Sequence, residues 1–152
     1  MSNRTSSAQP RVLVVDDDRA MRDFFATSLR LAGFDVQTAS DGIAALNEID
    51  RRRPDVVVLD LDLPIMNGFT VHEALRMQDA TCDLPIVVVS GTGWRSPSPV
   101  AARLDKPVPA EQLIATIVDV LSRAANGVRS ITRVAERNEP IGSRSPLADL
   151  AD

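Results

Sequence analysis

The 152-residue chain has no tyrosine, one tryptophan and four phenylalanines, so aromatics make up only 3% of it. Its core must therefore be built from Val, Leu, Ile and Ala. A single cysteine, Cys82, excludes an intramolecular disulfide framework and a cysteine-based zinc site. A single histidine, His72, leaves no second imidazole for a metal pair and reads as a solvated or half-buried side chain on a helix. The opening MSNRTSSAQP lacks the apolar stretch of a signal peptide, and no apolar run is long enough to span a bilayer. A reducing cytoplasm, with no membrane partner, is the expected setting. Neither sign of charge dominates: a formal net charge of −4 gives no reason to expect nucleic acid as a partner.

What is present fits one soluble α/β domain, with 44% hydrophobic and 25% charged residues. Residues 1–10 are small and polar and read as a disordered lead. Val12, Leu13, Val14 and Val15 form a short, wholly apolar run, as expected of a strand buried on both faces. Met21, Phe24, Phe25, Leu29 and Ala32 follow at helical spacing, and Gly33 stands where a C-cap belongs. Strand-like runs recur at 34–39, 56–59, 86–89 and 103–105. Helical periodicity lies between them at 41–50 and 69–78, and again after Pro109, where Asn126 and Gly127 are expected to end the last helix. Beyond them the periodicity fades, so 11–126 reads as the domain and 127–152 as a flexible tail. Apolar strands alternating with helices specify a parallel sheet covered on both faces. Such sheets hold their ligands at the carboxyl ends of the strands, where strand order reverses.

Acidic residues occupy those ends. Asp16 and Asp17 follow the first strand, and Asp60 and Asp62 follow the third. Converging carboxylates repel unless a cation sits among them, and Mg²⁺ accepts a few carboxylates plus waters and phosphate oxygens. Helix capping accounts for Asp18 but not for acids after two separate buried strands. Ser90 closes the fourth strand and Lys106 follows the fifth. A hydroxyl and an ammonium at that edge can hold phosphoryl oxygens, and a carboxylate is a competent nucleophile for forming an acyl phosphate.

The segments VLVVDDDRAMRDFF, VVVLDLDLPIMNGF and PIVVVSG, with the Lys106–Pro107 pair, resemble the receiver domains of two-component response regulators. The resemblance runs from about residue 11 to 123. It implies a flavodoxin-like, doubly wound, five-stranded parallel sheet of order 2-1-3-4-5. It further implies that Asp60 accepts the phosphoryl group, that Asp16 and Asp17 hold Mg²⁺ with the backbone carbonyl of Asp62, and that Ser90 and Lys106 contact the phosphoryl group. Pro64 and Gly68 match the loop that shapes the pocket. The implied donor is a phosphohistidine on a histidine kinase or histidine phosphotransfer protein. The implied output is protein contact by a monomer or weak dimer, with no enzymatic activity beyond its own phosphorylation and dephosphorylation.

Two departures stand out. The interval between Ser90 and Lys106 is short and rich in Gly, Ser and Pro, so the helix expected after the fourth strand should be short, irregular or missing. Arg103 replaces the Tyr or Phe that many receivers carry there. Phosphorylation is expected to act chiefly by reordering the 91–102 loop, with Trp94 either plugging the sheet or anchoring a partner. Two alternatives are a pseudo-receiver that binds without being phosphorylated and a haloacid-dehalogenase-type phosphatase using Leu59-Asp60-Leu61-Asp62. The phosphatase places its acidic pair on the first strand, whereas here the companion pair lies upstream.

Overall fold

The computed structural model describes residues 8–91, 95, 97 and 99–143, with residues 128–143 described by their backbone only. Trp94 lies outside the described residues. Five strands, β1 (Arg11–Val15), β2 (Asp35–Ala39), β3 (Val56–Asp60), β4 (Ile86–Ser90) and β5 (Ala102–Asp105), form one parallel sheet of order β2-β1-β3-β4-β5. The expected doubly wound fold is therefore present. Four helices complete the described elements: α1 (Arg19–Leu31), α2 (Gly42–Arg51), α3 (Gly68–Arg76) and α4 (Ala110–Ser143). Among the described residues between β4 and β5 there is no helix, as the Gly and Pro content of that stretch requires.

Period-2 alternation along the strands divides the interior in two. Val12 and Val14 point to one face, where Phe25, Ala26 and Leu29 of α1 meet Leu113, Ile117 and Val120 of α4. Leu13 and Val15 point to the other, against Ala45 and Ile49 of α2 and Val71 and Leu75 of α3. Every residue of β3 and β4 is buried, which is why both read as unbroken apolar runs. Each such Val, Leu or Ile contributes about 1.5–3 kcal/mol on burial.

The helix boundaries follow local chemistry. Asp18 caps α1 by accepting from the backbone N–H of Ala20 and Met21, and Asp41 and Asn67 cap α2 and α3 in the same manner. At the other end of α1, Gly33 takes φ +103°. This lets its N–H reach the Arg30 carbonyl and the Phe34 N–H reach that of Leu29, closing the helix as a Schellman turn.

The expected stop at Asn126 and Gly127 needs correction. The chain divides into two units, residues 1–121 and 122–152, and in the second the described backbone stays helical to Ser143. A glycine inside a helix costs about 1 kcal/mol relative to alanine, which weakens a helix without forcing it to end. His72 also departs from the solvated or half-buried reading: it is buried, 6% exposed, on the same stripe of α3 as Val71 and Leu75.

Candidate functional site

Register brings the acidic ends together. Val15 pairs with Leu59, so Asp16 continues β1 directly beside Asp60 at the end of β3. Asp60 in turn pairs with Val89, and Ser90 pairs with Asp105, the residue before Lys106. The Lys106 N–H donates to the Ser90 carbonyl at 2.8 Å, locking the last two strand ends together. Asp16 and Asp60 thus stand at the ends of β1 and β3, where the order of the sheet reverses.

The two buried carboxylates are held alike. Asp16 Oδ1 accepts from the Asp18 N–H at 2.9 Å, and Asp60 Oδ1 accepts from the Asp62 N–H at 3.1 Å. Each is a short-range turn that a carboxylate makes with backbone two residues on. Their second oxygens share one cation: Lys106 Nζ lies 3.2 Å from Asp16 Oδ2 and 3.4 Å from Asp60 Oδ2. Pro107 follows across a cis peptide bond. Asp17 is exposed, yet one oxygen from each of Asp16, Asp17 and Asp60 fits within a mutual 4.8 Å. Asp62 is exposed beside the cluster. The hydroxyl of Ser90 is fully buried, and among the described residues it has no hydrogen-bond partner. An orphaned buried donor of this kind costs free energy unless a ligand completes it.

Two supporting features escaped the sequence. Arg22 of α1 donates to the Asp16 carbonyl at 2.8 Å, fixing the turn that carries Asp16 and Asp17. Its i+6 spacing from Asp16, one turn into a capped helix, was a usable signal. In the loop after β3, Ile65 adopts φ 68° and is largely exposed, a left-handed conformation unfavourable to a β-branched side chain. The same loop brings Gly68 against the end of β3: a Cβ on Gly68 would lie 2.5 Å from the Asp60 carbonyl oxygen.

Burial raises the pKa of Asp60 from 3.8 to about 6. The Asp62 N–H and Lys106 oppose that shift, and the charge of Asp16 adds to it. For Lys106, burial works to lower the pKa, but Asp16 and Asp60 outweigh it and hold the ammonium above its usual value. Because folded Asp60 binds its proton more tightly than the unfolded chain does, its contribution to stability is greatest below pH 4 and is lost as pH rises through about 6. With metal chelated, Asp60→Asn should therefore be more stable than the native chain at pH 7.5. After discounting for solvent screening, the gain should be on the order of 1 kcal/mol. Thermal melts of both proteins check this: the gain should shrink toward pH 4, and a constant difference across that range would contradict the assignment.

The set suits a divalent cation next to a phosphoryl group. Asp16, Asp17 and Asp60 supply hard oxygen ligands of the type Mg²⁺ prefers, and the Lys106 ammonium is a cation fixed at the edge of that cluster.

Comparison with known proteins agrees with this geometry. The response regulator receiver domain family matches residues 12–118. The DNA-binding dual master transcriptional regulator RpaA of Synechocystis sp. is 36% identical over 120 residues, covering 75% of this chain and 50% of that protein. The response regulator MprA of Mycobacterium sp. (strain KMS) is 41% identical over 123 residues, 76% of this chain and 52% of that one. This chain thus spans about half the length of the curated relatives it matches. The crystallised chemotaxis protein CheY4 of Vibrio cholerae superposes with a TM-score of 0.68 at 34% identity, covering 74% of this chain and 99% of that one. The family match spans most of the chain and falls on a 2-1-3-4-5 sheet whose switch point carries the acidic cluster, so the chain belongs to the response regulator receiver domain family.

Proposed function

We propose that the chain accepts a phosphoryl group on Asp60 from a phosphohistidine of a histidine kinase or phosphotransfer protein, in a Mg²⁺-dependent reaction in the cytoplasm. It would then signal through protein contact. The observation that carries this reading is the Lys106 ammonium set between the buried carboxylates of Asp16 and Asp60. In the transfer, an Asp60 carboxylate oxygen forms the new bond to phosphorus as the bond from phosphorus to the donor imidazole nitrogen breaks, and the imidazole leaves with that electron pair. Lys106 releases Asp60 and meets the charge on the phosphoryl oxygens, and Ser90 donates its hydroxyl to one of them. Asp16, Asp17, Asp60 and the Asp62 carbonyl would hold Mg²⁺, which when bound supplies further positive charge against those oxygens.

RpaA is a DNA-binding regulator, but a net charge of −4 lends DNA binding no support in this chain. The chain is proposed to catalyse nothing beyond its own phosphorylation and dephosphorylation.

Intact-protein mass after incubation with acetyl phosphate and Mg²⁺ tests the reading. One added phosphoryl group is expected, absent without Mg²⁺ and absent in Asp60→Asn. If neither acetyl phosphate nor a panel of phosphorylated histidine phosphotransfer proteins adds mass, the chain is a receiver fold that binds without being phosphorylated.

A further inference from the structure

β5 is a four-residue edge strand paired to β4 alone, and among the described residues no helix leads into it. Two side chains of α3 secure the connection instead. His72 Nε2 lies 2.8 Å from the Pro99 carbonyl oxygen, and Arg76 Nη2 donates to that same oxygen at 3.1 Å. The Arg76 guanidinium is itself fixed, because Nη1 donates to the carbonyls of Thr81, Cys82 and Leu84 at 3.4, 3.0 and 2.8 Å. Neither side chain is free to swing: His72 is buried, and Arg76 is tied to the turn that follows its own helix. Directly after the gripped carbonyl, Val100 packs into the α2–α3 side of the core, and the Ala101 N–H donates to Ile86 at 2.8 Å. Ala102 begins β5, and Lys106 stands at its far end.

We propose that His72 and Arg76 are positioning residues for phosphoryl acceptance. By holding Pro99 against α3 they fix the start of β5 and, through its four residues, the place of the Lys106 ammonium beside Asp16 and Asp60. The effect of this grip on transfer rests on the receiver reading; its effect on β5 does not.

The experiment uses the full chain with His72→Leu, which removes the nitrogen, and His72→Gln, which places an amide N–H where Nε2 stands. One hydrogen bond of this kind is worth roughly three- to tenfold in an equilibrium. In His72→Leu the Ala101 amide should exchange with solvent about tenfold faster, while the Val57 amide inside the sheet keeps its protection. Phosphorylation by acetyl phosphate with Mg²⁺ should slow about three- to tenfold, and His72→Gln should recover both values. Unchanged Ala101 exchange in His72→Leu, or a His72→Gln that behaves like His72→Leu, overturns the inference. A phosphorylation rate in His72→Leu equal to that of the native chain overturns it as well. Should His72→Leu also lose protection at Val57, His72→Phe replaces it with the same expected results. A native chain that takes no phosphoryl group from any donor defeats the receiver reading instead, a result distinct from all of these.

Discussion

Lys106→Met should slow phosphoryl acceptance at Asp60 about a hundredfold or more, with the fold intact. The methionine keeps most of the aliphatic stem but removes the ammonium that now spans Asp16 Oδ2 and Asp60 Oδ2. Charge that develops on a transferring phosphoryl group would then lose its fixed cation on the β5 side. Removing one such preorganised donor from an active site costs about a hundred- to a thousandfold in rate. The loss should appear in the rate of mass gain with acetyl phosphate at saturating Mg²⁺. Mg²⁺ affinity, followed by titration calorimetry, should hold or tighten, because the metal no longer competes with an ammonium for the same carboxylates. A parallel loss of metal binding would mean that Lys106 acts by shaping the acidic cluster, and the assigned role would be wrong.

Gly68→Ala should produce the largest change in stability. A Cβ there would stand 2.5 Å from the Asp60 carbonyl oxygen and 2.6 Å from the Leu61 Cα. Both are backbone atoms of β3 and its exit, so no side chain can rotate away to make room. The N-terminus of α3 must shift, along with the Gly68 N–H bond to the Leu61 carbonyl at 2.9 Å. Overpacking of this kind costs about 3 kcal/mol, or roughly 10 °C in Tm for a domain of this size. Because the displaced atoms belong to Asp60 and Leu61, phosphoryl acceptance should fall by more than the unfolded fraction explains. Chemical denaturation alongside the mass assay separates the two effects. A melt within about 2 °C of the native chain would show that α3 moves aside at little cost, contrary to the overpacking expectation.

Much of this architecture was legible in the residues alone because the strands are buried on both faces. Burial turns β3 and β4 into apolar runs, and an abrupt acid or hydroxyl marks where each strand ends. Asp16, Asp60, Ser90 and Lys106 all announce themselves at such ends, and the sheet then brings them together without help from the loops. Contacts that depend on how helices and loops lie over the sheet were not legible. His72 falls on the same stripe as Val71 and Leu75, but nothing local says that its ring will meet the carbonyl of Pro99, 27 residues on. Arg76 looks like an ordinary basic residue in a last turn, yet it serves four carbonyls. The run past Gly127 illustrates the reverse difficulty: a residue that usually punctuates a helix costs too little to compel a stop.

The order of the strands also bears on how the chain avoids sticking to itself. Its most adhesive segments, the IVVV of β4 and the VVVL of β3, have the β-branched, uncharged composition that stacks into intermolecular sheets when exposed. Both sit at interior positions, with neighbours on either side. The two outer positions go to β2, with Asp35, Gln37 and Thr38, and to β5, where Arg103 and Asp105 pair at 3.1 Å. A foreign strand approaching either rim would have to bury charge or polar groups to add itself. The winding order thereby keeps the two segments most prone to intermolecular pairing away from both rims of the sheet.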